Sequence, residues 1–276
     1  MPCLKPIAIT VKTKLKLNYQ QVVPCGRCLA CLASRRNGWT FRLLEQDRVS
    51  TNSLFVTLTY DDQSIPLLDC QSGEIIYGIQ NLKEDSTEVY QTLDKASIQK
   101  YIKRIRKENK MENMKYYFVG EYGTQTERPH YHAIIFNVEP HLIKKKWNIG
   151  ISQIDNVSQS SIHYVTKYIM HNDKKQYEKK QRPFALISKG IGKTYVDLNK
   201  KYHKENLDEL LVYKGGQKQV MPRYLKEKIF EPEELEIINK KKEDWLKENS
   251  ISYKEKLKAI KWQNIQMSKI SKSNKI

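Results

Sequence analysis

The sequence predicts an α+β fold: a central, mainly antiparallel β-sheet flanked by helices. Three observations predict it. The runs "KYYFVGEY" (115–122) and "HYHAIIFN" (130–137) are joined by a polar loop holding Gly123 and Pro129, the pattern of an antiparallel strand pair. A third run, "SLFVTLTYDD" (53–62), is rich in β-branched and aromatic residues and ends in a turn, as a buried strand does. Between them, "DKASIQKYIKRIRKENK" (94–110) sets Ile98, Tyr101, Ile102 and Ile105 on one helical stripe, with Lys100, Lys103, Arg104 and Lys107 mainly away from it. Strand–helix–strand–strand order with segregated helices and sheet is the α+β arrangement.

The remaining elements follow in chain order. The segment up to about residue 24 is short, basic and β-prone. Leu29, Leu32, Trp39 and Leu43 recur at helical spacing and predict a helix over 28–47. Residues 63–92 read as a long polar insertion with room for one hairpin. A short strand is expected at 150–155, then a helix over 158–172 capped by one of its serines. Residues 173–231 are mixed, with a glycine-containing loop at "SKGIGKTY". From residue 233 to about 269, Leu235, Ile238, Trp245, Leu257 and Ile260 recur at helical intervals among lysines, predicting an amphipathic helix pair before a frayed "SKSNKI" end. The expected division is a Cys-rich segment with its helix (1–48), a central domain (49–231) and a lysine-rich helical extension (232–276).

Bulk composition narrows the function. With 276 residues, 39% hydrophobic and 29% charged, the chain can bury a real core and is not a disordered polymer. A formal charge of +18 attracts polyanions, so nucleic acid is the first partner to consider and an anionic membrane surface the second. Seventeen tyrosines against six phenylalanines suit base stacking and phosphate contact, although most tyrosines in any fold are simply half-buried. No apolar run approaches the ~18 residues that span a bilayer, so no membrane-spanning segment is expected, and nucleic acid rather than a membrane is taken as the partner. The start "MPCLKPIAITVKTK" lacks the order of a secretory signal. Five cysteines, three of them clustered, do not resemble an extracellular disulfide frame, and the expected location is the reducing cytoplasm.

The chemistry concentrates in "RPHYHAIIF" (128–136). Alternate residues of a strand share a face, so His130 and His132 project together and Tyr131 projects the other way. Two imidazoles so placed can bind one divalent metal, with Glu121 on the neighbouring strand as an oxygen ligand and positions left open for water and substrate. The alternative is two ordinary histidines on a solvent-facing strand. In "HYVTKYIMH", Ile162, Val165 and Ile169 form one stripe. Tyr164 and Tyr168 point together from a face about 100° round the axis, with Lys167 beside them. A phenol, with a pKa near ~10, attacks poorly unless a cation stabilises the phenolate or the phosphate, and a metal, paired tyrosines and a lysine are the parts phosphodiester transesterification needs. The alternative is two aromatic rings packed over a helix–sheet seam.

Cys25, Cys28 and Cys31 form C-x-x-C-x-x-C, a spacing that directs three thiolates at one Zn²⁺. Cys3 is the first candidate for a fourth ligand, with Cys70 or a histidine behind it. The alternative is reduced cysteines at a helix start. An iron–sulfur cluster is disfavoured because the usual following Cys-Pro is missing. Zinc here would brace the N-terminal segment.

Taken together, "FVTLTYDD", "GEYG…RPHYHAIIF" and "YVTKY" resemble, in order and spacing, the three motifs of rolling-circle replication initiators of the HUH endonuclease class, and most of all the microvirus type of the gokushovirus kind. "CGRC" near the start and "PRYLKEK" near residue 225 are similar to that family as well. The resemblance implies an HUH-endonuclease-like sheet and a metal-dependent nickase-ligase. It implies that His130, His132 and Glu121 hold Mg²⁺ or Mn²⁺, with Asp61, Asp62 or Glu127 as alternatives to Glu121. Tyr164, paired with Lys167, would be the first nucleophile and Tyr168 the second. The products implied are a 5′-phosphotyrosine and a 3′-hydroxyl for a host DNA polymerase. The implied partners are single-stranded and origin DNA and a host helicase, all in the bacterial cytoplasm. Two rivals stand beside this: an HUH transposase or relaxase with the same site, and a non-catalytic, zinc-braced DNA-binding protein.

Overall fold

The computed structural model describes residues 3, 5–12, 18–82, 88–167, 177, 179–206, 211–214, 217–248 and 253–273. A hairpin of β1 (Ile7–Lys12) and β2 (Asn18–Val23) leads into α1 (Leu29–Val49) and β3 (Ser53–Thr59). Three short strands follow, β4 (Pro66–Asp69), β5 (Ile75–Tyr77) and β6 (Val89–Gln91), then α2 (Lys95–Glu108). Next come β7 (Lys115–Tyr122), β8 (Pro129–Phe136), α3 (Pro140–Lys146), β9 (Ser152–Asn156) and α4 (Gln159–Lys167). Beyond these lie β10 (Phe184–Ile187), α5 (Thr194–Glu205), β11 (Leu211–Lys214), β12 (Gln217–Val220), α6 (Arg223–Ile229), α7 (Pro232–Glu248) and α8 (Tyr253–Ser273).

Two compact units are present, residues 42–192 and residues 1–41 with 193–276. The first carries the predicted α+β architecture. Its five-stranded sheet has the order β10-β7-β8-β3-β9, and every neighbouring pair is antiparallel. The expected hairpin of β7 and β8 places Glu121 directly opposite His130 and Val119 opposite His132. Glu127 adopts a positive φ in the connecting loop, where the Gly123 amide donates to the Arg128 carbonyl at 2.9 Å. On the other side of β8, Thr57 of β3 pairs with His132 and Thr59 with His130.

Alternation gives the sheet a face that is dry throughout and a working face that carries the histidines at one end and the buried Tyr117, Ile134 and Phe136 further along. Leu54, Val56, Leu58, Phe118, Tyr131, Ala133 and Ile135 point to the dry face. There they pack with the α2 stripe of Ile98, Tyr101, Ile102 and Ile105 and with Ile143 of α3. Each such fully buried aliphatic side chain stabilises the fold by about 1.5–3 kcal/mol, so this layer sets the register of the strands above it. Asp94 caps α2, accepting from the amides of Ala96 and Ser97 at 2.8 and 3.1 Å. Tyr131 ties that cap to β8. Its hydroxyl donates to the Asp94 carbonyl at 3.0 Å and accepts from the Asp94 amide at 2.8 Å and from Tyr60 at 3.0 Å. Burial pushes the Tyr131 phenol well above its ordinary pKa, so the tyrosine between the two histidines is a core residue.

Several elements differ from the sequence expectation. The stretch 63–92 holds a three-stranded antiparallel sheet, β5-β4-β6, with Ile65 and Leu67 buried, where one hairpin was expected. Its strands are three or four residues long, too short for a period of two to stand out. α3 was not expected either. It has Pro140 in its first turn and buries only Leu142 and Ile143, so it lacks a repeating stripe. In the mixed region, β10 adds an edge strand beside β7 and α5 forms a helix. The second unit has its own core of Phe41, Val196, Val212, Met221, Leu225, Ile229, Phe230 and Ile238. It also contains the expected C-terminal helix pair, α7 and α8.

Candidate active site

The working face gathers one carboxylate, two imidazoles and a phenol. Glu121 Oε1 lies 3.0 Å from His130 Nε2 and 2.8 Å from His132 Nε2, and both Glu121 and His132 are buried. Their ligand atoms all fall within 4.8 Å of one another. The outer ring nitrogens are held from behind. His130 Nδ1 donates to the Arg128 carbonyl at 3.1 Å, and His132 Nδ1 shares a 3.0 Å hydrogen bond with Thr57 Oγ1. A carbonyl only accepts, so His130 Nδ1 carries a proton, and in the neutral ring the Nε2 lone pair faces the Glu121 carboxylate. Two acceptors at such a distance repel unless a proton or a cation lies between them. The donor set therefore fits a divalent metal, with outer partners that orient each imidazole.

The same carboxylate also shifts the titration of His130. Burial lowers its pKa, but the hydrogen bond and charge of Glu121 and the Arg128 carbonyl outweigh burial and hold it above the ordinary histidine value.

Tyr164 closes the site from α4, which packs against β8. Its buried neighbours Ile162 and Val165 anchor that helix. At its start, the Ser161 amide donates to Ser158 Oγ at 3.1 Å and the Ser158 amide to Ser161 Oγ at 2.8 Å, the predicted serine cap. The Tyr164 hydroxyl donates to Glu121 Oε1 at 3.1 Å and lies 3.3 Å from His132 Nε2. Lys167, one turn on, sets its ammonium 4.7 Å from the centre of the Tyr164 ring. Tyr168, and the predicted helix from there to residue 172, lie outside the described residues.

Two neighbours were not singled out from the sequence. Phe55 stacks parallel to His132, with ring centroids 5.8 Å apart, and meets Tyr164 edge-on at 6.2 Å. Thr57 orients His132. The strand 53–62 read as mostly core, yet only alternate residues are. The signal was present in the alternation of Phe55, Thr57 and Thr59 with Leu54, Val56 and Leu58. It becomes readable only once the register opposite the histidines is known. Of the alternative carboxylates, Asp62 pairs with Arg128 at 2.7 Å and Glu127 with Lys180 at 2.6 Å. Among the described residues, the group at this site able to hold a metal is Glu121, His130 and His132.

The four predicted cysteines also come together, in the unit formed by residues 1–41 and 193–276. Sγ distances are 3.5 Å for Cys28–Cys31, 3.9 Å for Cys28–Cys3 and 4.0 Å for Cys25–Cys31. Cys70 stands apart from them in sequence and is absent from the cluster.

Residues 53–173 match the family described as replication-associated protein ORF2/G2P, a span that contains every residue of the histidine–tyrosine site. The chain is 24% identical over 259 residues to the replication-associated protein VP4 of Bdellovibrio phage phiMH2K, covering 81% of this chain and 76% of that protein. It is 25% identical over 278 residues to the replication-associated protein ORF2 of Spiroplasma virus 4, covering 81% and 79% respectively. A shorter match, 24% over 169 residues, links 53% of this chain to 37% of the replication-associated protein ORF4 of Chlamydia phage 1. No solved structure matches.

Proposed function

We propose that this chain, a member of the replication-associated ORF2/G2P family and a microvirus-type replication initiator, opens rolling-circle replication by cutting single-stranded origin DNA with a tyrosine and later rejoining the ends. The observation that carries this reading is the Tyr164 hydroxyl, 3.1 Å from Glu121 Oε1 and 3.3 Å from His132 Nε2. A phenol aimed into a carboxylate–imidazole cluster is poised to lose its proton where a phosphate would be polarised. We assign the antiparallel sheet to the HUH-endonuclease type on the same grounds.

In the reaction we envisage, the Tyr164 oxygen attacks phosphorus as its proton passes to water, since Glu121 and His132, the acceptors it faces, would be engaged by the cation. The bond from phosphorus to the 3′ oxygen breaks, and the departing oxygen takes a proton from water. The products are a 5′-phosphotyrosine and a free 3′-hydroxyl that a host polymerase extends. The covalent link conserves the phosphodiester, so the reverse attack by a 3′-hydroxyl joins ends without ATP. A divalent cation held by Glu121, His130 and His132, Mg²⁺ or Mn²⁺ by the hardness of the carboxylate, supplies Lewis-acid polarisation of a non-bridging phosphate oxygen. Lys167 offsets charge developing on the phenolate. Tyr168 is the proposed second nucleophile, for the cut that ends a round.

The strand's path is constrained by the two faces. α2 packs on the face opposite the histidines, so its basic residues do not line the reacting side. DNA entering from the α4 side meets Phe55 and Lys167 instead. Among the described residues no helix is long and apolar enough to cross a membrane. The proposed setting is the cytoplasm of a bacterial host, with a helicase opening the duplex. The deciding experiment incubates the protein and Mg²⁺ with labelled single-stranded origin DNA. An adduct that survives SDS supports the nickase. Retention of DNA without an adduct supports a non-catalytic DNA-binding protein.

A further inference from the structure

The cysteine cluster lies outside residues 53–173, which match the replication-associated ORF2/G2P family, and takes no part in the chemistry above. Four separate features of the chain converge on it. Gly26 adopts φ 71°, a left-handed conformation that turns the chain between Cys25 and Cys28. That turn aims the Cys28 amide at Cys25 Sγ, 3.4 Å away. The Leu32 amide donates to the Cys28 carbonyl at 3.0 Å, so α1 begins at this point and Cys31, three residues on, stands over Cys28 on the same side. The β1–β2 hairpin then delivers the fourth thiol. Ile7 pairs with Val23, so the residues just before β1 run beside those just after β2, and the Cys25 amide donates to Cys3 Sγ at 3.3 Å.

We infer that Cys3, Cys25, Cys28 and Cys31 form a closed four-thiolate site for a structural zinc ion that fastens the β1–β2 hairpin to the start of α1.

The geometry discriminates among the uses of four clustered thiols. Tetrahedral zinc with Zn–S bonds of ~2.3 Å requires sulfurs ~3.8 Å apart; three of the pairs lie at 3.5, 3.9 and 4.0 Å, and all four sulfurs lie within 4.8 Å of one another. A disulfide would bring two sulfurs to ~2.05 Å, and all four cysteines are free. A cubane iron–sulfur cluster ties each thiolate to a different iron, which spreads the four sulfurs beyond the 4.8 Å that encloses these. Buried structural thiols would be sheathed in apolar side chains, whereas all four remain half-exposed.

The hairpin supplies a reason for such a site. Ile7, Ile9 and Val22 are exposed, so β1 and β2 gain little from burial, and an isolated two-stranded hairpin is marginal in water. A metal that binds only the folded arrangement supplies the missing stability. The two metal centres then differ in kind: soft sulfur here, carboxylate and imidazole at the reacting site. Conditions that exchange Mg²⁺ or Mn²⁺ should leave zinc in place.

The test measures metal content of the full chain by elemental analysis after dialysis against EDTA, with cobalt substitution to report the ligand set. Expected is one zinc per chain. The cobalt form should show the intense sulfur-to-metal charge-transfer and tetrahedral d–d bands of four thiolates. Zinc should persist in Cys70→Ser and in His130→Ala, and fall to background in Cys28→Ser. Because loss of a ligand can unfold the Cys28→Ser chain, the cobalt spectrum of the wild-type chain decides independently. Zinc retained by Cys28→Ser, iron in place of zinc, or a metal-free chain with four freely titrating thiols that takes up no cobalt would each overturn the assignment. The outcome does not depend on whether Tyr164 cuts DNA.

Discussion

The hydroxyl of Tyr164 donates to Glu121 Oε1 across 3.1 Å, joining a helix residue and a strand residue 43 positions apart in the chain. Neither residue is near the other in sequence. Their meeting depends on α4 lying over the face where β7 and β8 carry Glu121 and the histidines.

Thr57→Val tests how far that face extends. Valine keeps the shape of threonine but leaves His132 Nδ1 without its oxygen partner. Loss of an outer partner of a ligating histidine lowers metal affinity by ~10–100-fold. A Mn²⁺ titration of the variant should show a drop of that size with little change in melting temperature. An unchanged affinity would mean that Thr57 does not orient the ring.

Tyr131 and Tyr164 should separate cleanly under phenylalanine substitution. Tyr131→Phe leaves the Asp94 amide, the Asp94 carbonyl and the Tyr60 hydroxyl to find other partners in a dry interior. The expected cost is about 1–3 kcal/mol in urea unfolding, with adduct formation retained well below the midpoint. Tyr164→Phe should do the reverse.

Gly150 is constrained by its backbone neighbours. It adopts φ 153°, and a Cβ there would sit 2.0 Å from the Thr59 carbonyl oxygen at the end of β3. Gly150→Ala should therefore destabilise the protein by roughly 2–4 kcal/mol, read by thermal or denaturant unfolding, because backbone rather than a side chain must move.

Metal binding should depend on pH in a defined direction. Burial lowers the His130 pKa, but Glu121 and the Arg128 carbonyl outweigh it and the net shift is upward. A group raised by folding stabilises fully below its unfolded pKa of ~6.5 and loses that contribution as pH rises through the folded value. The metal-free protein therefore loses this contribution as His130 deprotonates, and a cation can then take the proton's place. The melting-temperature gain on adding Mn²⁺ should be larger at about pH 8 than at about pH 6. An equal or smaller gain at the higher pH would argue against His130 as a ligand.

Much of the sheet unit was legible because its signals are local and periodic. The α2 stripe is four apolar residues at helical spacing, and the β7–β8 hairpin is two apolar runs across a short polar loop. His130 and His132 share a face by alternation alone. What was not legible depends on tertiary neighbours. β10 spans four residues and makes sense only as an edge partner of β7. α3 exists because Leu142 and Ile143 are buried with the dry-face core, not because seven residues favour a helix. Thr57 and Phe55 looked like the rest of a core strand, since their task is set by what stands beside them.

The most direct measurement is the covalent adduct itself. Wild-type protein, Tyr164→Phe and His130→Ala are each incubated with labelled single-stranded origin DNA, with Mg²⁺ and with EDTA, and resolved under denaturing conditions. Expected is a protein–DNA band for the wild type with Mg²⁺ that vanishes with EDTA and in His130→Ala. In the first cut, Tyr164→Phe should lose it as well, and peptide mapping of the wild-type adduct should recover the nucleotide on Tyr164. An adduct carried by a residue away from α4, or one formed equally well by His130→Ala, would contradict the proposed site.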